Sequence, residues 1–182
     1  MKKILLMYSA LNEGTKKIAE EIKNKSEQKG AEVIFYDLNE PKEMLLCMGC
    51  KYCDKINGTE FGCPLKDFVY EVYDYALEAD EIVSVTSIED TCMFGTQRYK
   101  DVINRLQVAT HKSLPSGEVI SVWEGKGYFT VGTYEDSQAN VPAFQMITEK
   151  YGPYYKARKS EVVVCKEGDL TAADKIVNAI FE

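Results

Sequence analysis

The stretch Ile4-Leu5-Leu6-Met7-Tyr8-Ser9-Ala10-Leu11-Asn12-Glu13-Gly14-Thr15 decides the fold. Its first five residues form an unbroken apolar run, the pattern of a strand buried on both faces. A short polar turn follows. From Thr15 to Lys29 the residues Ile18, Ala19 and Ile22 then share one helical face, and Gly30 stops the helix. The same alternation continues along the chain. Val33-Ile34-Phe35-Tyr36 is a second strand, and Phe68, Val72, Tyr75, Ala76 and Ala79 recur at helical spacing. Ile82 to Val85 is a third strand, with Val102, Ile103 and Leu106 marking the helix after it. Tyr128-Phe129-Thr130-Val131 is a fourth strand, followed by the stripe Phe144, Ile147 and Tyr151. Val162-Val163-Val164 is the fifth. The last helix starts at Thr171, whose spacing to Asp174 reads as a capping box, and carries Ile176, Val177 and Ile180.

Five strand–helix units with crossovers too long for hairpins predict an α/β fold. They give a doubly wound five-stranded parallel sheet in the order 2-1-3-4-5, with helices on both faces. The 182 residues make a single domain, 1–182, carrying a cysteine-rich loop at about 47–63. Neither an internal repeat nor a linker interrupts it.

With 45% hydrophobic and 28% charged residues the composition is that of an ordinary globular protein, which excludes general disorder and a membrane-spanning chain. The apolar run at the start is too short for a signal peptide, so a cytoplasmic location is expected. Net charge is −7, from 29 acidic against 22 basic residues. No dense Lys/Arg run offsets it, which argues against sequence-independent binding to nucleic acid or to an anionic membrane. A phosphate ligand must therefore be held locally by backbone N–H groups.

Ligands in doubly wound sheets sit beyond the carboxyl ends of the strands, so the loops after strands one, three and four are the functional candidates. The first runs from Ser9 to Thr15 into a helix, whose N-terminus offers unpaired N–H groups and a partial positive charge. The Ser9 and Thr15 hydroxyls can add hydrogen bonds to a phosphate there, and Gly14 allows close approach of the backbone. The plainer account of the same residues is a helix cap with a polar turn. Glu13 opposes a phosphate unless it points to solvent. The second candidate is Cys47-x-x-Cys50-x-x-Cys53, then nine residues, then Cys63-Pro64. Such spacing suits a [4Fe–4S] ligand set, while zinc, redox thiols and unmetallated thiols stay open. Cys165, in a buried strand, and Cys92, after strand three, read as structural. His111, the one histidine, reads as a solvated loop residue, Trp123 as core, and Tyr151 to Tyr155 as packing at a helix end.

Several of these segments carry a family resemblance. They are the cysteine cluster with Cys63-x-x-Lys66-Asp67, Ala79-Asp80 before strand three, and Lys100-Asp101-Val102-Ile103-Asn104-Arg105 in the third helix. In them the chain resembles the flavodoxin-like NADPH-dependent FMN reductases, and specifically their iron–sulfur flavoprotein branch. The resemblance spans all five strand–helix units and implies a flavodoxin-like fold. It also implies an FMN-dependent redox protein that passes electrons between a reduced donor and an acceptor. FMN phosphate would sit on Ser9, Leu11, Asn12, Glu13, Gly14 and Thr15. The flavin ring would lie against Thr86, Ser87, Ile88 and Glu89 and against Thr133 and Tyr134, with Tyr134 able to stack on it. A [4Fe–4S] cluster on Cys47, Cys50, Cys53 and Cys63 would take single electrons from the flavin. The redox partners would be small molecules or electron carriers, and the assembly a homodimer or larger.

Three departures accompany the match. The first loop ends Glu13-Gly14-Thr15 where the family has G-N-T. Thr86-Ser87-Ile88-Glu89-Asp90-Thr91 replaces an S-P-V-Y turn and places two carboxylates near the ring, which disfavours an anionic reduced flavin. The gap before Cys63 is long. Two other readings therefore stand beside the first: a cluster-free NAD(P)H-dependent flavin or quinone reductase, and a flavin-free domain of the same fold that binds a partner or a metal.

Overall fold

Five parallel strands form the central sheet of the computed structural model, which describes residues 1–10, 12–55, 62–89, 95–114 and 116–182. They are β1 (Lys3–Ser9), β2 (Glu32–Asp37), β3 (Glu81–Ser87), β6 (Gly127–Tyr134) and β7 (Lys159–Lys166), in the order β2-β1-β3-β6-β7. Counting the strands of this sheet alone, that is the order 2-1-3-4-5.

Side chains alternate across each strand and so feed two cores. Ile4, Leu6 and Tyr8 of β1 pack with Val83, Val85, Phe129 and Val131 beneath α1 (Glu13–Gln28) and α6 (Thr171–Phe181). Leu5 and Met7 pack on the other face with Ile82 and Tyr128, beneath α3 (Phe68–Glu78) and α4 (Gln97–Thr110). The helix α5 (Val141–Tyr154) packs on β6 and β7. Ile4, Leu5 and Leu6 have no exposed surface, and burying each contributes about 1.5–3 kcal/mol. The central strands are apolar on both faces, which is why their sequence shows no period-2 alternation.

Tyr155 is buried against Tyr128 and Trp123, with ring centroids 5.7 Å away in both cases, while Tyr154 is exposed. Trp123 is core, and the tyrosine cluster is packing at the end of α5. At the amino ends of the strands the buried Glu81 carboxylate takes Lys2 Nζ at 2.8 Å and Arg158 Nη2 at 2.5 Å.

Some local expectations are corrected. His111 belongs to a strand, not a loop: β4 (His111–Ser113) pairs antiparallel with β5 (Val119–Ser121), with His111 opposite Ser121. Runs of three residues are too short to leave a periodic signal. A one-turn helix α2 (Tyr52–Lys55) interrupts the cysteine-rich segment. The capping box at Thr171 does not form. Asp169, two residues earlier, accepts both the Thr171 N–H at 3.0 Å and its hydroxyl at 2.7 Å. Asp174 is left free to pair with Lys25 at 2.6 Å. Among the described residues no helix is long and apolar enough to cross a membrane.

Candidate functional site

Strand register brings the carboxyl ends of β1, β3 and β6 into line: Ser9 faces Thr86, and Ser87 faces Thr133. Asn12 stands where β1 turns into α1. It adopts an extended conformation, and its Oδ1 accepts the Thr15 N–H at 2.8 Å, capping the helix. Its Nδ2 is then directed outward, donating to Ser87 Oγ at 3.2 Å and to Glu135 Oε1 at 3.5 Å. One asparagine thus ties together the ends of three strands.

The hydroxyls beneath it are committed to one another. Thr15 Oγ1 and Thr133 Oγ1 share a hydrogen bond of 2.6 Å, and Ser9 Oγ and Thr96 Oγ1 share one of 2.5 Å. Ser9, Thr15, Thr86 and Thr133 have no exposed surface. Thr96 also accepts the Tyr99 N–H at 3.1 Å at the start of α4, and its own N–H donates to Thr86 Oγ1 at 3.1 Å.

Above this layer lies a cleft of about 370 Å³, lined by Asn12, Ser87, Ile88, Glu89, Thr133, Glu135, Asp136 and Ser137. Ile88 is its apolar wall, pinned by its N–H donating to Thr133 O at 2.7 Å. Three of the lining residues are carboxylates. Burial pushes the Glu89 carboxyl above the usual carboxylate range. Asp136 has Lys166 Nζ at 3.7 Å, with both side chains exposed.

Ser9, Asn12, Thr15, Thr86, Ser87, Ile88, Glu89 and Thr133 therefore gather at one end of the sheet, although only Asn12, Ser87, Ile88, Glu89 and Thr133 line the cleft. The other expectations are placed differently. Glu13 is exposed in the first turn of α1, where a carboxylate suits the helix dipole. A side chain at Gly14 would meet Gly168 N at 3.0 Å and Glu167, so the glycine serves packing of α1 on the turn before α6, not approach to a ligand. Tyr134 is half-buried and does not line the cleft, because successive residues of β6 point to opposite faces. Leu11, Asp90 and Cys92 lie outside the described residues. Thr96 went unnoticed in the sequence. Its available signal was a threonine just ahead of a helical stripe.

The cysteines differ in exposure. Cys47 and Cys50 are exposed, and Cys53 (in α2) and Cys63 are half-buried. Cys63 is turned toward the core beneath α3, where its Sγ accepts from Arg105 Nη2 at 3.7 Å. Among the described residues no three His, Cys, Asp or Glu side chains are placed to hold a metal. The four-sulfur centre that the resemblance implies is thus not shown by the described residues.

The same arginine closes the neck of the cysteine-rich segment. Arg105 Nη1 donates to Leu45 O at 2.9 Å and Nη2 to Leu65 O at 3.2 Å. It also pairs with Asp67, and both side chains are at most 4% exposed. Asp67 in turn accepts the Leu45 N–H at 2.7 Å and caps α3 through the Val69 N–H at 3.1 Å. Leu45 and Leu65, on either side of the cysteine-rich segment, are therefore joined through one buried ion pair.

No protein-family model matches the sequence, and neither does any curated protein. The fold matches solved structures. The FMN-dependent NADH-azoreductase of Bacillus anthracis, in complex with FMN, aligns with a TM-score of 0.66 at 13% identity, covering 97% of this chain and 96% of its own. The flavodoxin of Streptococcus pneumoniae aligns at 0.63 and 14% identity, covering 98% and 97%. The NAD(P)H:quinone oxidoreductase of Methanothermobacter marburgensis aligns at 0.63 and 12%, covering 97% and 92%. At these identities what is shared is the flavodoxin-like architecture.

Proposed function

We propose that the protein is a flavin-dependent oxidoreductase of the FMN class, passing electrons between a reduced donor such as NAD(P)H and an acceptor. The observation that carries this reading is the cleft between the loops after β3 and β6, beside the N-terminus of α1. In a doubly wound sheet ligands bind beyond the carboxyl ends of the strands near the point where the order reverses, here between β1 and β3, whose ends supply Asn12 and Ser87 to the cleft. The names of the three aligned structures, an azoreductase, a flavodoxin and a quinone oxidoreductase, support the same class.

The lining fits the ring of a flavin. Ile88 offers an apolar face, and Ser87 and Ser137 offer hydroxyls at its rim. Glu89, Glu135 and Asp136 surround the cleft with negative charge, which opposes an anionic reduced ring and favours neutral forms. When bound, a flavin supplies the redox chemistry, and the protein's part is to place and tune it. The four cysteines do not fit a [4Fe–4S] centre as they stand, since Cys63 is held by Arg105 against the core, and no step is assigned to one. One observation favours the flavin-free reading: the mutual pairing of the buried hydroxyls Ser9, Thr15, Thr96 and Thr133.

Quenching of flavin fluorescence by the purified protein tests the proposal. Saturable binding in the micromolar range or tighter is expected in wild type. It is expected to vanish in Ser87→Trp, whose indole fills the cleft, with folding checked by circular dichroism. Absence of quenching in wild type overturns it in favour of the flavin-free reading. Iron and sulfide analysis of the same anaerobic preparation tests the cluster separately.

A further inference from the structure

We infer that the cleft recognises a flavin by its ring and not by a phosphate, so that riboflavin binds at least as tightly as FMN. The inference rests on the flavin reading of the cleft and specifies which ligand it takes. Three independent features of the phosphate end support it.

First, three of the donors there are in use. The Thr15 N–H is taken by Asn12 Oδ1, the Thr15 hydroxyl by Thr133 and the Ser9 hydroxyl by Thr96. Thr15 and Ser9 have no exposed surface, so no ligand oxygen reaches them without breaking these pairs. Second, the space on the side of Gly14 where a side chain would point is filled by Gly168 and Glu167, so a ligand gains no approach to the backbone there. Third, the charge is of the wrong sign. Glu135 lies within 3.5 Å of the Asn12 amide, Glu89 and Asp136 line the same cleft, and Glu13 already occupies the first turn of α1. Lys166, a cation beside this rim, faces Asp136 at 3.7 Å. A phosphate dianion entering here gives up hydration and meets carboxylates, while the uncharged ribityl chain of riboflavin meets neither penalty.

Parallel titrations with FMN and riboflavin test this. At low salt the riboflavin dissociation constant is expected to equal or fall below that of FMN. Raising salt from about 20 mM to about 500 mM shortens the screening length from roughly 20 Å to roughly 4 Å. FMN is then expected to tighten about three- to tenfold, with riboflavin changing less than about twofold. The double variant Glu135→Gln/Asp136→Asn, at two exposed positions, is expected to give FMN the same gain at low salt. If FMN binds about tenfold or more tighter than riboflavin, and salt weakens it, the phosphate is held and the inference fails while the cleft remains a flavin site. If neither flavin binds, the flavin reading itself fails, and the inference with it.

Discussion

Thr15 shows what a single residue can and cannot disclose. Its position at the start of α1 and its hydroxyl were visible in the sequence. Its partner was not, because Thr133 lies 118 residues away and meets it only through the register of the sheet. Cys165 was legible in full, since a cysteine in the run Val162-Val163-Val164-Cys165 has little choice but the core. Burial pushes its thiol up to about 11, so the reactive thiolate is scarce at neutral pH. The folded state holds this thiol above its unfolded value. That contribution to stability is complete below the unfolded pKa and is lost as pH rises through about 11. Cys47 and Cys50, in contrast, are open to solvent. Alkylation of the native protein near pH 8 with peptide mapping is expected to modify Cys47 and Cys50 within minutes and Cys165 only after denaturation. Labelling of all three at one rate contradicts the burial of β7.

Among the elements, the strands of the sheet and the helices flanking them were readable because each is long enough to repeat its pattern. The hairpin β4–β5 and the single turn α2 were not. The cysteine-rich segment falls between these cases. Its cysteines stood out in the sequence, but spacing alone could not say that Arg105, forty or more residues later, would turn Cys63 inward and hold the neck closed. Removing one partner of a buried ion pair leaves the other charge uncompensated. Arg105→Leu is therefore expected to destabilise the fold by about 3–5 kcal/mol in urea melts. Limited proteolysis is expected to cut faster between residues 46 and 64, because Leu45 and Leu65 lose the donor that joins them. The milder Arg105→Lys keeps a charge but not the fork, and is expected to fall between wild type and the leucine variant. If Arg105→Leu leaves both stability and cleavage unchanged, the clasp has no structural role.

For the molecule as a whole, fold and function were legible to different depths. Continuous apolar runs in the central strands fix a doubly wound sheet, and the sheet fixes where a ligand binds. What the ligand is depends on side chains from segments far apart in sequence. Asn12, Ser87, Ile88 and Glu135 meet only after three crossovers have been made. A net charge of −7 sets the background against which any anionic ligand must be held, and the cleft adds to that background where a phosphate site would offset it. The central claim is that a flavin occupies the cleft at the carboxyl ends of β1, β3 and β6. Amide chemical-shift mapping of the isotopically labelled protein, titrated with riboflavin, tests it most directly. Saturable shifts are predicted at Asn12, at Ser87 to Glu89 and at Thr133 to Ser137, with Cys47, Cys50, Cys53, Cys63 and the Glu81 end of the sheet unmoved. Shifts centred on Cys47 to Cys63, or no saturable shift at any amide, would contradict it.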